Sequence, residues 1–279
     1  MNPRKHLLAT DLSSRSDRAL DRAALLARSC SSRLVALHVI DPAEERAQRK
    51  RSIAEAGDYA RQLMRRDVRS TGESGEVRVE KGEPADVILQ VAREEGCTLI
   101  VSGVARNEVL GRFTLGATVD QLLRTSEIPL LIVTERAHTQ YQRVAVAIDF
   151  TETSVRALQL AVDWWPSQRL IVFHAHDAPG SYAVSDLESH REEFGRIARA
   201  DAERYLVASG LSAEARARLD VRIESGDPGL RVRDLVERED VDLVVLGTRG
   251  PGPIAEFFLG SVAKRIAMGL MCDALVVRG

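Results

Sequence analysis

The chain has 279 residues, 44% of them hydrophobic and 29% charged, with a formal net charge of -2 at pH 7. That length suits two domains of about 100 to 150 residues each, and the near-balanced charge argues against a nucleic-acid binder, which would usually be basic. The first 18 residues hold no continuous apolar stretch, so neither a signal peptide nor a membrane anchor is expected. Cys30, Cys97 and Cys272 are scattered without a Cys-x-x-Cys pair, which fits a reducing, cytoplasmic compartment and offers no zinc framework.

Short runs rich in Val, Ile and Leu predict strands at Leu7–Thr10, Arg33–Ile40, Val77–Glu80, Thr98–Ser102 and Pro129–Val133, each apolar enough to be buried on both faces. Apolar stripes at helical spacing lie between them: Ala19, Leu20, Ala23, Ala24 and Ala27 form one, and Val87, Ile88, Val91 and Ala92 another. The polar, aperiodic stretch Thr134–Gln142 reads as a linker. Strands then return at Arg143–Ile148, Arg169–His174, Val221–Glu224, Leu243–Leu246 and Ala274–Val277. Trp164 and Trp165 end a predicted helix and read as packing or interdomain surface.

The two halves repeat. Gly82-Glu83-Pro84, Leu99–Gly103 and Leu115-Gly116 recur 144 positions later as Gly226-Asp227-Pro228, Leu243–Gly247 and Leu259-Gly260. Nearer the start of each half, Asp11, Ser16, Ala19 and Leu20 recur at a shift of 138 as Asp149, Ser154, Ala157 and Leu158. Strands alternating with helices imply parallel crossover units. The expected architecture is therefore α/β, two tandem doubly wound domains over residues 1–136 and 142–279, each an open, mostly parallel five-stranded sheet with helices on both faces.

Chemistry concentrates in one segment. After the apolar run 241–246 come Gly247, two residues, Gly250, nine residues, then Gly260-Ser261. In an open parallel sheet, ligands bind at the carboxyl ends of the strands. Glycines there let a ligand approach the backbone, and the helix expected from Val262 offers free N–H groups and a positive dipole end to an anion. Ser261 could cap that helix or donate to a phosphate oxygen. Neither a Gly-x-x-x-x-Gly-Lys-Ser/Thr loop nor a Gly-x-Gly-x-x-Gly after the first strand of either half occurs, so P-loop and dinucleotide folds are unsupported.

At these residues the sequence resembles the universal stress protein family, as two tandem copies over nearly the whole chain. The resemblance rests on the glycine spacing, on Asp149 ending the first strand of its half, on the Gly226-Asp227-Pro228 turn and on the short final strand Ala274–Val277. It implies an adenine-nucleotide-binding regulator of the stress response, with ATP (or ADP or AMP) and Mg as candidate ligands. It also implies that the final strands of the two halves, Leu130–Val133 and Leu275–Val277, pair into an intramolecular pseudo-dimer; a homodimer is compatible with the same mode. Carried over, Asp149 would lie by the adenine or ribose, the Ala175 backbone by the adenine and Gly226 near the ribose. Gly247, Gly250, Gly260 and Ser261 would hold the phosphates.

The first half departs from this pattern: Gly103 and Gly116 keep their places, but Arg106 stands at the position of Gly250 and Ala117 at that of Ser261. That half is expected to bind nucleotide weakly, not at all, or to bind something different. Asp149 has a structural alternative as a cap for the stretch from Thr151. His174, His176 and Asp177, with His38 and Asp41 at the matching place, fall short of the three or four converging ligands a metal needs. No catalytic set is recognisable, although Asp149, Asp227 and Glu256 could approach the site. A Mg-dependent ATP hydrolase or phosphotransferase of low turnover is the alternative function, and a partner-binding protein with a vestigial loop is a third.

Overall fold

The β-branched runs form strands because such side chains pack well on a pleated surface covered from both sides. A computed structural model describes residues 4–13, 16–42, 53–72, 75–107, 112–114, 116–176, 187–248 and 261–278. The chain divides into two compact units, Met1–Gln140 and Tyr141–Gly279. The first runs β1 (Lys5–Thr10), α1 (Ser16–Ser29), β2 (Arg33–Ile40), α2 (Ile53–Ser70), β3 (Glu76–Lys81), α3 (Pro84–Glu94), β4 (Leu99–Gly103), β5 (Ala105–Asn107), β6 (Arg112–Thr114), α4 (Ala117–Thr125) and β7 (Leu130–Val133). Five of its strands form a parallel sheet in the order β3-β2-β1-β4-β7.

The second unit repeats the plan with β8 (Val144–Ala147), α5 (Glu152–Trp164), β9 (Leu170–His176), α6 (Leu187–Ala208), α7 (Ala213–Ala217), β10 (Leu219–Ser225), α8 (Pro228–Glu239), β11 (Leu243–Gly247), α9 (Ser261–Gly269) and β12 (Asp273–Val277). Its sheet is again parallel, ordered β10-β9-β8-β11-β12. In both units the strand order reverses beside the first strand, between β1 and β4 and between β8 and β11. With right-handed crossovers, that reversal sends the later helices to the opposite face of the sheet from the earlier ones. α3 accordingly packs on α4, and α8 on α9.

Small residues set the helix-to-sheet distance. Ala19, Leu20, Ala23, Ala24 and Ala27 on α1 are all buried, over a sheet whose Leu7, Leu99, Ile100 and Val101 are completely so. Cys97 and Cys272 are buried too, and burial pushes the Cys97 thiol up to about 11, as for a small apolar filler rather than a reactive thiol.

Two features lie outside what the sequence reading included. The stretch read as a linker is anchored at both ends. Arg18 and Arg22 on α1 donate to the carbonyls of Thr134 and Thr139 at 2.8 and 2.9 Å, and Arg136 pairs with Asp21 at 3.1 Å. At its other end, Tyr141 belongs to the second unit: it is 1% exposed, its hydroxyl donates to Asp273 Oδ2 at 2.6 Å, and its ring meets Trp165 edge-on at 5.9 Å. One buried tyrosine in a polar run has no periodicity by which to be read. The other unforeseen feature is the antiparallel ribbon β5–β6 (Ala105↔Thr114, Arg106↔Phe113, Asn107↔Arg112), which occupies the first half's version of the glycine loop.

Candidate functional site

Each reversal point opens at the carboxyl end of its sheet, where doubly wound folds bind ligands. In the second unit, β8 ends toward Asp149, β9 carries Ala175 and β11 ends at Gly247. The register Leu246↔Ala147 and Ala147↔Phe173 puts all three at the same end of adjacent strands. Gly226 follows β10 there, its N–H donating to the His176 carbonyl at 2.9 Å. Gly250 and Gly260 lie outside the described residues, and Ser261 is the first residue of α9.

The strand-end aspartates shape the backbone around them. Asp149 Oδ1 accepts from the Thr151 N–H at 3.2 Å and the Thr151 hydroxyl at 2.5 Å. Thr151 is itself the N-cap of α5, accepting from Ser154 N–H. Asp149 therefore braces the cap rather than acting as the cap, and its side chain stays exposed. The residue between them, Phe150, takes a left-handed conformation at φ 63°, as Leu12 does at φ 60° after Asp11. Non-glycine residues seldom sit there, and the hydrogen bonds of the Asx turn help to offset the strain.

Gly226 and Gly82 share a second conformational requirement. Their φ values are 130° and 150°, and an added Cβ would lie 2.8 Å from Arg231 Nε in one case and from Val87 Cγ2 in the other. Next to Gly226, Asp227 Oδ1 caps α8 through the Leu230 N–H at 3.0 Å while Oδ2 takes Arg265 of α9 at 2.8 Å. The backbone bond from Leu230 and the Arg265 charge hold this carboxyl below the usual range.

Gly247 is required for a reason the sequence reading did not include. Its missing Cβ would lie 2.9 Å from Thr153 Cγ2 and 3.1 Å from both Ser154 N and the Thr153 carbonyl carbon. The first turn of α5 thus packs directly on this strand end, and glycine is needed there whatever approaches from solvent.

Sequence reasoning also missed an aromatic cluster beside Asp149. The Phe150 ring lies 4.2 Å from the His174 imidazole and 5.5 Å from Tyr205, whose hydroxyl bonds Ser154 Oγ at 3.1 Å. Burial, before a partly opposing bond to Ile148, lowers the His174 pKa, and burial raises that of Tyr205. Phe150 was visible only as the residue after Asp149, and Tyr205 sits more than 50 positions away. His174 Nδ1 lies 2.9 Å from the Ile148 carbonyl, and His38 Nδ1 lies 2.9 Å from that of Thr10. Both imidazoles are thus strand-end hydrogen-bonding groups, and among the described residues no group of three or more His, Cys, Asp or Glu could hold a metal ion.

The first unit carries a cleft at its own reversal point. It encloses about 260 Å³ and is lined by Thr10, Asp11, His38, Ser102, Gly116 and Thr118 among others. Burial pushes the Asp11 carboxyl up, but bonds from the Ser13 hydroxyl and N–H and from the Ser16 hydroxyl outweigh it, leaving it below the usual carboxylate range. α4 begins after Gly116 without a side-chain cap.

A duplicated parallel sheet with reversal-point turns of this kind has known counterparts. The family model described as the universal stress protein family matches residues 3–134 and again 140–278. The chain belongs to the universal stress protein family. A universal stress protein of Synechocystis is 30% identical over 157 residues, which cover 98% of that protein and 50% of this chain. One from Mycolicibacterium smegmatis is 29% identical over 191 residues, covering 64% of this chain and 61% of that protein. Among solved structures, a universal stress protein from Archaeoglobus fulgidus matches the fold over 100% of this chain and 99% of its own, at 22% identity and a TM-score of 0.68. Among the described residues no helix is long and apolar enough to cross a membrane.

Proposed function

We propose that this universal stress protein is a cytoplasmic regulator that binds an adenine nucleotide, ATP with or without Mg, in its second domain. The observation that carries the reading is the spacing Gly247-x2-Gly250-x9-Gly260-Ser261, leading from the end of β11 at the sheet reversal to the first residue of α9. A strand that opens through glycines into a helix N-terminus holds phosphate by backbone N–H groups and the helix dipole. In this reading Gly250, Gly260 and Ser261 hold the phosphates with the backbone at Gly247. Asp149 and Gly226 contact the sugar side and the Ala175 backbone the base. The domains 1–136 and 142–279 act as a pseudo-dimer through their final strands, and only the second keeps the full glycine pattern.

Calorimetric titration of the purified chain with ATP tests this. Saturable binding that Gly250→Arg with Ser261→Ala abolishes is expected. No heat at millimolar ATP, or binding indifferent to the double substitution, would sink the proposal.

A further inference from the structure

β10 is the last strand of the second unit's sheet, and β9 is its single strand neighbour among the described residues. An edge of this kind presents a row of backbone N–H and C=O groups to any chain that can align with it. We infer that the chain that aligns with it is a second copy: two protomers join through β10 in an antiparallel pair centred on Val221. β12 lies at the other end of the same sheet, so this contact is distinct from pairing of the final strands, and it does not depend on nucleotide binding.

The backbone fixes which groups face outward. At one end of β10 the Arg218 carbonyl accepts from the Leu170 N–H at 3.1 Å, and at the other the Gly226 N–H donates to the His176 carbonyl at 2.9 Å. Backbone groups alternate sides from one strand residue to the next. The even-numbered residues of β10 therefore turn theirs toward β9, and Leu219, Val221 and Ile223 turn theirs to the edge. About a two-fold axis at Val221, that residue faces its own copy and Leu219 faces Ile223, both as hydrogen-bonded pairs. Asp220 and Arg222 then form the intervening pair, where opposed side chains stand closest.

The side chains match in the same register. Even-numbered ones turn toward α8, where Arg222 lies 3.5 Å from Glu239 and Glu224 accepts from Arg238 at 2.6 Å. Odd-numbered ones consequently lie on the α6 face. There Val221 and Ile223 line a groove of about 430 Å³ with Ala202 and Leu206 of α6, and Val221 is 39% exposed. Pairing covers that valine with its copy and sets apolar residues against one another along the whole α6 face. On the α8 face Arg222 already donates to Asp220 of its own strand at 2.8 Å, and the partner strand adds the opposite charge across from each.

Other alignments lose this match. Centring on Arg222 sets it against its own copy and Asp220 against Glu224, and like charges directly opposite are destabilising. Centring on Ile223 keeps Arg222 opposite Glu224 but leaves Val221 against Ser225. The outer strand of the first unit, β3, reads Glu-Val-Arg-Val-Glu-Lys; the alignment that pairs Arg78 with Glu80 there sets Val77 against Lys81. Lysine on an edge guards against pairing, so the duplicated fold has one guarded edge and one that complements itself under the two-fold symmetry of an isologous dimer.

Sedimentation velocity of the full chain across a micromolar concentration series tests this. The parent is expected to pass from the mass of one chain to that of two. Asp220→Arg alone and Arg222→Asp alone each oppose like charges in both symmetry-related pairs, and each is expected to raise the dimer dissociation constant about tenfold or more. An equal mixture of these two variants sets arginine against aspartate again and is expected to recover the dimer. Val221→Lys, at an exposed position, is expected to dissociate the dimer while leaving the urea midpoint of the single chain unchanged. A parent that keeps the mass of one chain throughout, a dimer that all three variants form as tightly as the parent, or a mixture of folded variants that gains no mass would each overturn the inference.

Discussion

Gly247→Ala separates two reasons for a glycine at the end of β11. The added methyl carbon would stand 2.9 Å from Cγ2 of the buried Thr153 and 3.1 Å from the Thr153 carbonyl carbon and Ser154 N, which belong to the backbone of α5. Overpacking of this kind costs about 1–3 kcal/mol. Displacing Ser154 N also disturbs its 3.3 Å bond to the Thr151 cap, and a lost cap costs about 1 kcal/mol. Against this, alanine restricts the unfolded chain and returns about 0.4–1 kcal/mol. The balance is a loss of roughly 1–3 kcal/mol, or a fall of several degrees in the melting temperature for a unit of this size. The assay is urea and thermal unfolding of the variant without ligand, beside an ATP titration. An unaltered unliganded stability with weakened ATP binding would refute the packing argument and return Gly247 to a purely ligand-facing role.

Two further predictions concern the cores of the two units. His6 is fully buried beside Ser32, and burial, aided by the Arg4 charge, pulls its pKa from 6.5 down to about 4. The unfolded chain then takes up a proton that the folded one refuses, so stability should fall as pH drops from about 6.5 toward 4, by roughly 3 kcal/mol in total. Urea midpoints at pH 7 and pH 4.5 measure it, and a His6→Gln chain with the same pH dependence would refute the assignment. Tyr141→Phe removes the 2.6 Å donor to the buried Asp273 carboxylate, which should destabilise the second unit by about 1–3 kcal/mol. A midpoint within error of the parent would show that Asp273 finds another donor.

The candidate site was legible where its features repeat. The pairs Asp11/Asp149 and Gly82/Gly226 were found by their fixed offsets, and each pair proves to share a backbone state, a bracing side chain at the aspartates and a positive φ at the glycines. Phe150, Tyr205 and the Thr153 contact to Gly247 were not legible, because each depends on a neighbour brought close only by the crossover of a helix over the sheet. The β5–β6 ribbon was hidden for another reason: its strands are three residues long, too short to display a period.

By itself the sequence determined the duplication, the strand-helix alternation and the glycine spacing, since all three are written in the order of residue types along the chain and need no partner to be read. Only the tertiary structure decided that the first domain, which has no counterpart of Gly250 or Ser261, still has a cleft at its strand reversal, and that Gly247 answers to α5. Cavities and close approaches are properties of surfaces that meet, and residues 11, 38 and 118 meet only after the parallel strands have been ordered β3-β2-β1-β4-β7.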